Sequence, residues 1–390
     1  MSLLDRKYID IDLAVTEILP AKTWCDKDRH HLFEFFTDFN EWLDGEDGLE
    51  TRLVYSIDGL TSPSKALFAS DLESYNQAFK LFRANRISQV LSEDSIIELD
   101  GDIHWFERNQ QRFEQLVRYL MANTVVPFVG AGLSVESGFP TWKYHLEQQG
   151  KTSNITSKAV ASLLKNGNYE GVIDKIERKG NRDVFIQEIR DVFSKTGKVT
   201  DTTLRLTELF NDTIITTNYD HIIEQAYETG EKDKIQVIDS LNILEDPDKK
   251  KITILKLHGD VRTPARCILS KRQYDDAYGI GFVDLSKPIP KLLSYYYRTS
   301  NLLFLGCSLN NDRTMEVFQA VKNEIGDVDR PQHFSLESMP ESNKELSKRN
   351  AYLLSFGITP IWFPKGQYQY IEQIMRCARN ELSYRGKKLI

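Results

Sequence analysis

Cysteine is scarce in this sequence, with four thiols in 390 residues. They stand at Cys25, Cys267, Cys307 and Cys377. None belongs to a CxxC pair, so neither a disulfide framework nor a zinc knuckle is expected. Long apolar runs are missing too. No stretch reaches the roughly 18 residues of a membrane span, and Met1-Ser2-Leu3-Leu4-Asp5 lacks a secretory signal pattern. A cytoplasmic chain with reduced thiols and no membrane partner is expected. There is no surplus of positive charge: the formal net charge is −7. Phosphate-backbone affinity rests on Lys and Arg, so direct nucleic-acid binding is not expected. Internal repeats and low-complexity tracts are also absent. What remains is 41% hydrophobic and 27% charged, the balance of a globular chain long enough for two domains.

Two patterns meet near residue 120. Residues 1–119 read as mostly helical and aromatic. His31 to Leu43 carries Phe33, Phe35, Phe36, Phe39 and Trp42, and similar stripes run through Phe68, Tyr75, Phe79 and Phe82 and then Phe106, Phe113 and Tyr119. Helical spacing makes these core faces, with enough aromatic surplus for a self-association surface and hence a homo-oligomer. Leu53-Val54-Tyr55-Ser56-Ile57 is β-prone and is expected as a short strand. Residues 120–390 change character. Short apolar runs (Val125–Val129, Thr213–Thr217, Ile252–Leu257, Leu302–Leu305, His333–Leu336, Ile358–Phe363) alternate with helical stretches at Ala159–Lys165, Val184–Phe193, His221–Tyr227, Thr314–Lys322 and Tyr370–Glu381. This order predicts an α/β, Rossmann-like, doubly wound parallel sheet behind the helical N-terminal domain. Functional loops then lie beyond the C-terminal strand ends. Glu245 to Lys251 is expected as an exposed turn.

Four motifs sit at such ends. In the first, a strand enters Gly130-Ala131-Gly132, where missing side chains permit a tight turn and let a pyrophosphate approach backbone amides at a helix start. Ser134 and Ser137 add hydroxyls. A purely structural turn accounts for the same glycines. In the second, Thr216-Thr217-Asn218-Tyr219-Asp220, polar side chains at a strand end suit ligand orientation, while Asp220 also fits a helix cap. In the third, Lys256-Leu257-His258-Gly259-Asp260, the histidine is either a hydrogen-bonded structural residue or an acid–base group left accessible by Gly259. In the fourth, Gly306-Cys307-Ser308-Leu309 offers small polar groups to a ribose or adenine edge, and Asp312 reads as a helix N-cap.

Taken in order, these four motifs resemble the sirtuin (silent information regulator) family over roughly residues 120–385. The resemblance implies that Gly130, Ala131, Gly132 and Ser134 receive the NAD diphosphate; Ser137 and Thr217 are expected among the cofactor-binding residues. It implies that Asn218 and Asp220 surround the nicotinamide-ribose, that His258 is the base, and that Gly306, Ser308 and Leu309 receive the adenosine end. The departures are equally informative. Thr141-Trp142-Lys143 stands where deacylating sirtuins have Asp-Phe-Arg, the two zinc-binding CxxC pairs are missing, and the peptide-pairing segment has no counterpart. The pattern is similar to bacterial sirtuin-like domains of antiviral defence, which hydrolyse NAD.

NAD hydrolysis to nicotinamide and ADP-ribose, as an NAD glycohydrolase, is therefore the expected activity, without zinc or any other metal. Protein deacylation or ADP-ribosylation, and NAD or ADP-ribose sensing without turnover, stay open as alternatives. The chain is expected to end with the catalytic domain and to carry no sensor of its own, yet a toxic NADase needs a gate. Its domain order resembles the subunit that partners a HerA-type hexameric ATPase, so such a partner is expected.

Overall fold

The computed structural model describes residues 32–92, 94–96, 103–165, 168–180, 182–228, 234–243, 246–310, 312–326 and 330–387. Cys25, His31, Glu245 and the first five residues lie outside them. The strands are β1 (Val125–Val129), β2 (Thr213–Thr216), β3 (Ile235–Asp239), β4 (Ile252–Lys256), β5 (Asn301–Leu305), β6 (His333–Ser338) and β7 (Ile358–Phe363). They form one seven-stranded sheet in the order β3-β4-β2-β1-β5-β6-β7. The pairings of β1 with β2 and β5, of β4 with β2 and β3, and of β5 with β6 are parallel. Every residue of β5 and β7 is buried, as are the inner residues of β1, β2 and β4. Covered on both faces, such strands read as continuous apolar runs. The Rossmann-like α/β class is as expected.

The register decides where function sits. Val129 stands opposite Thr216 on one side and Leu305 on the other, and Thr216 stands opposite Lys256. Four strands therefore end flush, and Gly130, Thr217, Leu257 and Gly306 leave the same sheet edge side by side. β1 lies where the strand order reverses, the place at which open α/β sheets open a ligand crevice.

Two local expectations are corrected. Ile235–Asp239 is a strand that the apolar pattern did not reveal: Ile-Gln-Val-Ile-Asp alternates because it lies at the sheet's edge, mostly half-buried. Leu53–Ile57 is not a strand. Leu49–Val54 is helical, with Leu53 and Val54 exposed. The side chain of Arg52 donates to the carbonyls of Leu43 (2.9 Å) and Gly45 and to Asp58 (2.9 Å), which fixes the helical course. Here a tertiary tie overrides β-propensity.

The described residues fall into two compact units. One unit takes Thr124–Glu337 and Lys344–Ile361; the other takes the described residues of Met1–Asn123, Ser338–Asn343 and Trp362–Ile390. In the latter, the C-terminal helix Tyr370–Tyr384 packs among the aromatic stripes. The Tyr384 ring lies 4.9 Å from Phe79 and 6.2 Å from Phe36. Glu381 accepts both arms of Arg83 at 2.8 and 2.7 Å, and Arg385 donates to Glu114 at 2.8 and 2.6 Å. A chain shortened to begin at Asn123 therefore exposes the buried face of this helix. It is expected to be insoluble or to lose its native stoichiometry. A monodisperse shortened chain with unchanged stoichiometry by light scattering contradicts that expectation. Among the described residues no helix is long and apolar enough to cross a membrane.

Candidate active site

The first and fourth motifs pack backbone against backbone. Gly130 N donates to Leu305 O at 2.9 Å, and Gly132 N donates to Gly306 O at 3.0 Å. A Cβ on Gly130 would lie 2.6 Å from Gly306 O, and one on Gly132 2.8 Å from the same oxygen. Gly306 has φ +66°, and a Cβ there would lie 2.4 Å from Leu133 N. Loop-on-loop approach thus requires all three glycines, whatever they bind. The turn does not open a regular helix: Ala131–Ser134 is one 3-10 turn, and the next helix starts at Trp142, capped by Thr141. The expected helix N-terminus behind Gly-Ala-Gly is corrected accordingly.

The second motif folds onto the first. Thr216 Oγ1 donates to Val129 O at 2.9 Å and accepts from Asn218 N at 3.0 Å. Asn218 Nδ2 donates to Gly130 O and to Ser134 Oγ, both at 3.1 Å. A carbonyl can only accept, so this fixes the amide orientation and leaves Asn218 Oδ1 buried with no partner. Burial raises the Asp220 carboxyl above the usual range. Asp220 accepts from Ile222 N at 3.1 Å, an Asx turn that satisfies the first amide of the helix Ile222–Glu228. Thr217 is half-buried, and Ser137 is buried with an unpartnered hydroxyl.

His258 is not accessible as expected: it is 9% exposed. Gly259 (φ +97°) serves a different need, since a Cβ there would lie 3.0 Å from Cys267 Cα. Two tyrosines of the helix Lys271–Tyr278 hold the imidazole. Tyr278 Oη is 2.8 Å from Nε2, and Tyr274 Oη is 3.4 Å from Nδ1. Burial lowers the imidazole to about 4, so at neutral pH it is uncharged and able to take a proton. Tyr219 Oη donates to Ile268 O at 2.8 Å, which links the second motif to the segment after the third.

In the fourth motif Ser308 is exposed, whereas the Leu309 side chain is part of the hydrophobic core and only its backbone faces the loop. Leu309 has φ +43°. Arg349 donates to the carbonyls of Ser308 (2.9 Å) and Leu309 (3.0 Å) while paired with Glu337 at 3.0 Å, and so holds this strained turn. Asp312 caps the helix Arg313–Ile325 through Met315 N, as expected, and burial pushes its carboxyl up to about 6. Arg313 joins Glu170 and Asp275 at 2.8 Å each, tying the helix Tyr169–Lys179 to the tyrosine-bearing helix.

Beneath these loops lies a charged cluster that sequence reasoning missed: Lys256, Glu224 and Asp260 are buried, His221 is half-buried, and Arg262 closes it from the exposed side. Its signal is one lysine closing the mostly apolar strand Ile252–Lys256. Ligand atoms of His221, Glu224 and Asp260 lie within 4.8 Å of one another, as in a metal site. The Lys256 ammonium, however, sits 2.9 Å from Glu224 and 3.2 Å from Asp260, where a cation would sit. Cys267, Cys307 and Cys377 are free thiols.

Comparison with known proteins bears on this arrangement. Residues 212–361 match the SIR2-like domain family. That stretch holds Asn218, Asp220, His258, Gly306 and Ser308; the Gly130 motif precedes it. The chain is 28% identical over 223 residues to the NAD(+) hydrolase ThsA of Bacillus cereus (strain MSX-D12), covering 57% of this chain and 45% of that protein. It is 25% identical over 261 residues to the protein of the same name from Enterococcus faecium, covering 66% and 49%. It is also 25% identical over 232 residues to that of Acinetobacter baumannii (strain 532279), covering 59% and 46%. The matches thus span about half the length of these relatives.

Proposed function

We propose that the flush strand ends bind NAD and that the chain hydrolyses its nicotinamide–ribose bond. The observation that carries this reading is the buried, unpartnered Oδ1 of Asn218, fixed as an acceptor two residues past β2, while the neutral His258 stands two residues past the paired end of β4. An unsatisfied buried acceptor costs about 1–3 kcal/mol, a cost explained where a ligand brings the missing donor. A ribose hydroxyl or the attacking water supplies such an O–H. The similarity to proteins named as NAD(+) hydrolases supports the same substrate.

In this reaction the C–N bond breaks with its electron pair passing to the pyridinium nitrogen, so nicotinamide leaves neutral. The ribose becomes an oxocarbenium-like cation. Water bonds to the anomeric carbon and gives up a proton, for which the neutral imidazole of His258 is the acceptor. Asp220, held by Ile222 N, stabilises the developing cation or receives the carboxamide; Asn218 orients the ribose or the water. Adding an acylated peptide to NAD and enzyme is expected to leave nicotinamide release unchanged. Peptide-dependent release with loss of the acyl group would establish the deacylase alternative.

A pH profile tests the assigned base. Burial disfavours the imidazolium, so the neutral form persists well below the ordinary histidine value, and the acid limb of kcat/KM is expected near pH 4. A limb at about 6.5 would mean that His258 is not the base. Operation in antiviral defence and a HerA-type ATPase partner follow from the family resemblance and the domain order alone, and self-assembly from the aromatic stripes of residues 1–119; all three stand as proposals.

A further inference from the structure

Lys256 is the last residue of β4 and is fully buried. Its ammonium donates to Asp220 O at 2.6 Å and to Glu224 Oε1 at 2.9 Å, and its remaining proton faces Tyr219 O at 3.3 Å and Asp260 Oδ2 at 3.2 Å. Asp260 is bound further by His221 Nε2 (2.8 Å) and by Arg262 through its backbone N (2.7 Å), Nε (2.9 Å) and Nη2 (2.7 Å). One cation therefore ties three pieces of chain together: the Asn218–His221 loop, the helix Ile222–Glu228 and the His258–Arg262 loop. The carbonyls of Tyr219 and Asp220 lie past the end of β2, and this ammonium is what meets them. Stability alone gives little reason for such a group, because burying ions costs several kcal/mol each and an apolar replacement is often as stable. Orientation does give one: an ammonium with directed partners sets the loop's position where an apolar side chain would not.

We propose that Lys256 is a positioning residue, which locks the loop carrying Asn218 and Asp220 to the loop carrying His258. The proposal rests on the NAD-cleaving reading above.

Lys256→Met alone leaves two buried carboxylates short of their cation, so the test pairs it with Glu224→Gln; Asp260 keeps His221 and Arg262. The paired variant is expected to stay folded by circular dichroism. Its kcat should fall about 100-fold, the scale of a misplacement near 1 Å. Adding Asn218→Ala to the paired variant should cost less than about threefold more, because both changes act through one loop. A folded paired variant with wild-type kcat overturns the proposal. So do losses that simply multiply, which is what a merely structural role gives. ADP-ribose binding by calorimetry separates the two readings. If the wild-type chain binds ADP-ribose but releases no nicotinamide, the hydrolase reading fails by itself. The positioning role is then judged on affinity: at least about tenfold weaker binding in the paired variant upholds it, and unchanged affinity overturns it.

Discussion

His258→Ala and Asn218→Ala are each expected to lower nicotinamide release from NAD by at least about 100-fold while the protein stays folded. The two changes remove different things. Without the imidazole, the water attacking the anomeric carbon has no nearby neutral base, because Tyr274 and Tyr278 are buried phenols that burial holds above their ordinary range. Without the Asn218 amide, the site loses the buried acceptor Oδ1, and Gly130 O and Ser134 each lose a hydrogen-bond partner. Both side chains sit in loops beyond strand ends, so the sheet hydrogen bonds are untouched. Circular dichroism and a nicotinamide assay on the purified variants check this. Near-wild-type turnover in both folded variants would remove the catalytic assignment.

Gly306→Ala is expected to act through geometry alone. The new methyl meets Leu133 N at 2.4 Å and Gly132 C at 2.9 Å, and the residue must hold φ +66°. Left-handed strain and overpacking together cost about 2–4 kcal/mol, or a melting midpoint lower by roughly 5–10 °C. Gly138→Ala is the control. It has φ +96° but nothing within 4 Å of its Cβ, so it carries only the conformational part of about 1 kcal/mol. Because the Gly130 and Gly306 loops separate together, Gly306→Ala should also weaken NAD binding, and Gly138→Ala should not. Equal thermal shifts in the two variants would show that the loop contact is not tight.

The α/β order could be read from the sequence because strands covered on both faces are nearly continuous apolar runs; Asn301–Leu305 is buried throughout. β3 could not, since its edge position lets polar residues alternate with apolar ones. The helix at Leu49–Val54 escaped a propensity reading because Arg52 ties it from outside the segment. In the candidate site, the four motifs pointed to the right loops, but their meeting depends on register. Only the pairing of Val129 with Thr216 and Leu305, and of Thr216 with Lys256, brings them to one edge. Partners supplied by distant elements were not visible either: Tyr278 on His258, Arg349 on Ser308 and Leu309. Lys256 was visible as a charge closing a mostly apolar strand, although its use depends on carbonyls that turn toward it only in the folded loop.

The central claim is that this chain breaks NAD at the nicotinamide–ribose bond. The most direct measurement incubates the purified full-length protein with saturating NAD and quantifies nicotinamide and ADP-ribose together over time, with the His258→Ala protein alongside. The account predicts the two products in equal amounts from the wild-type chain, and almost none from the variant. NAD recovered intact from the wild-type protein, or nicotinamide formed equally by both proteins, would contradict it.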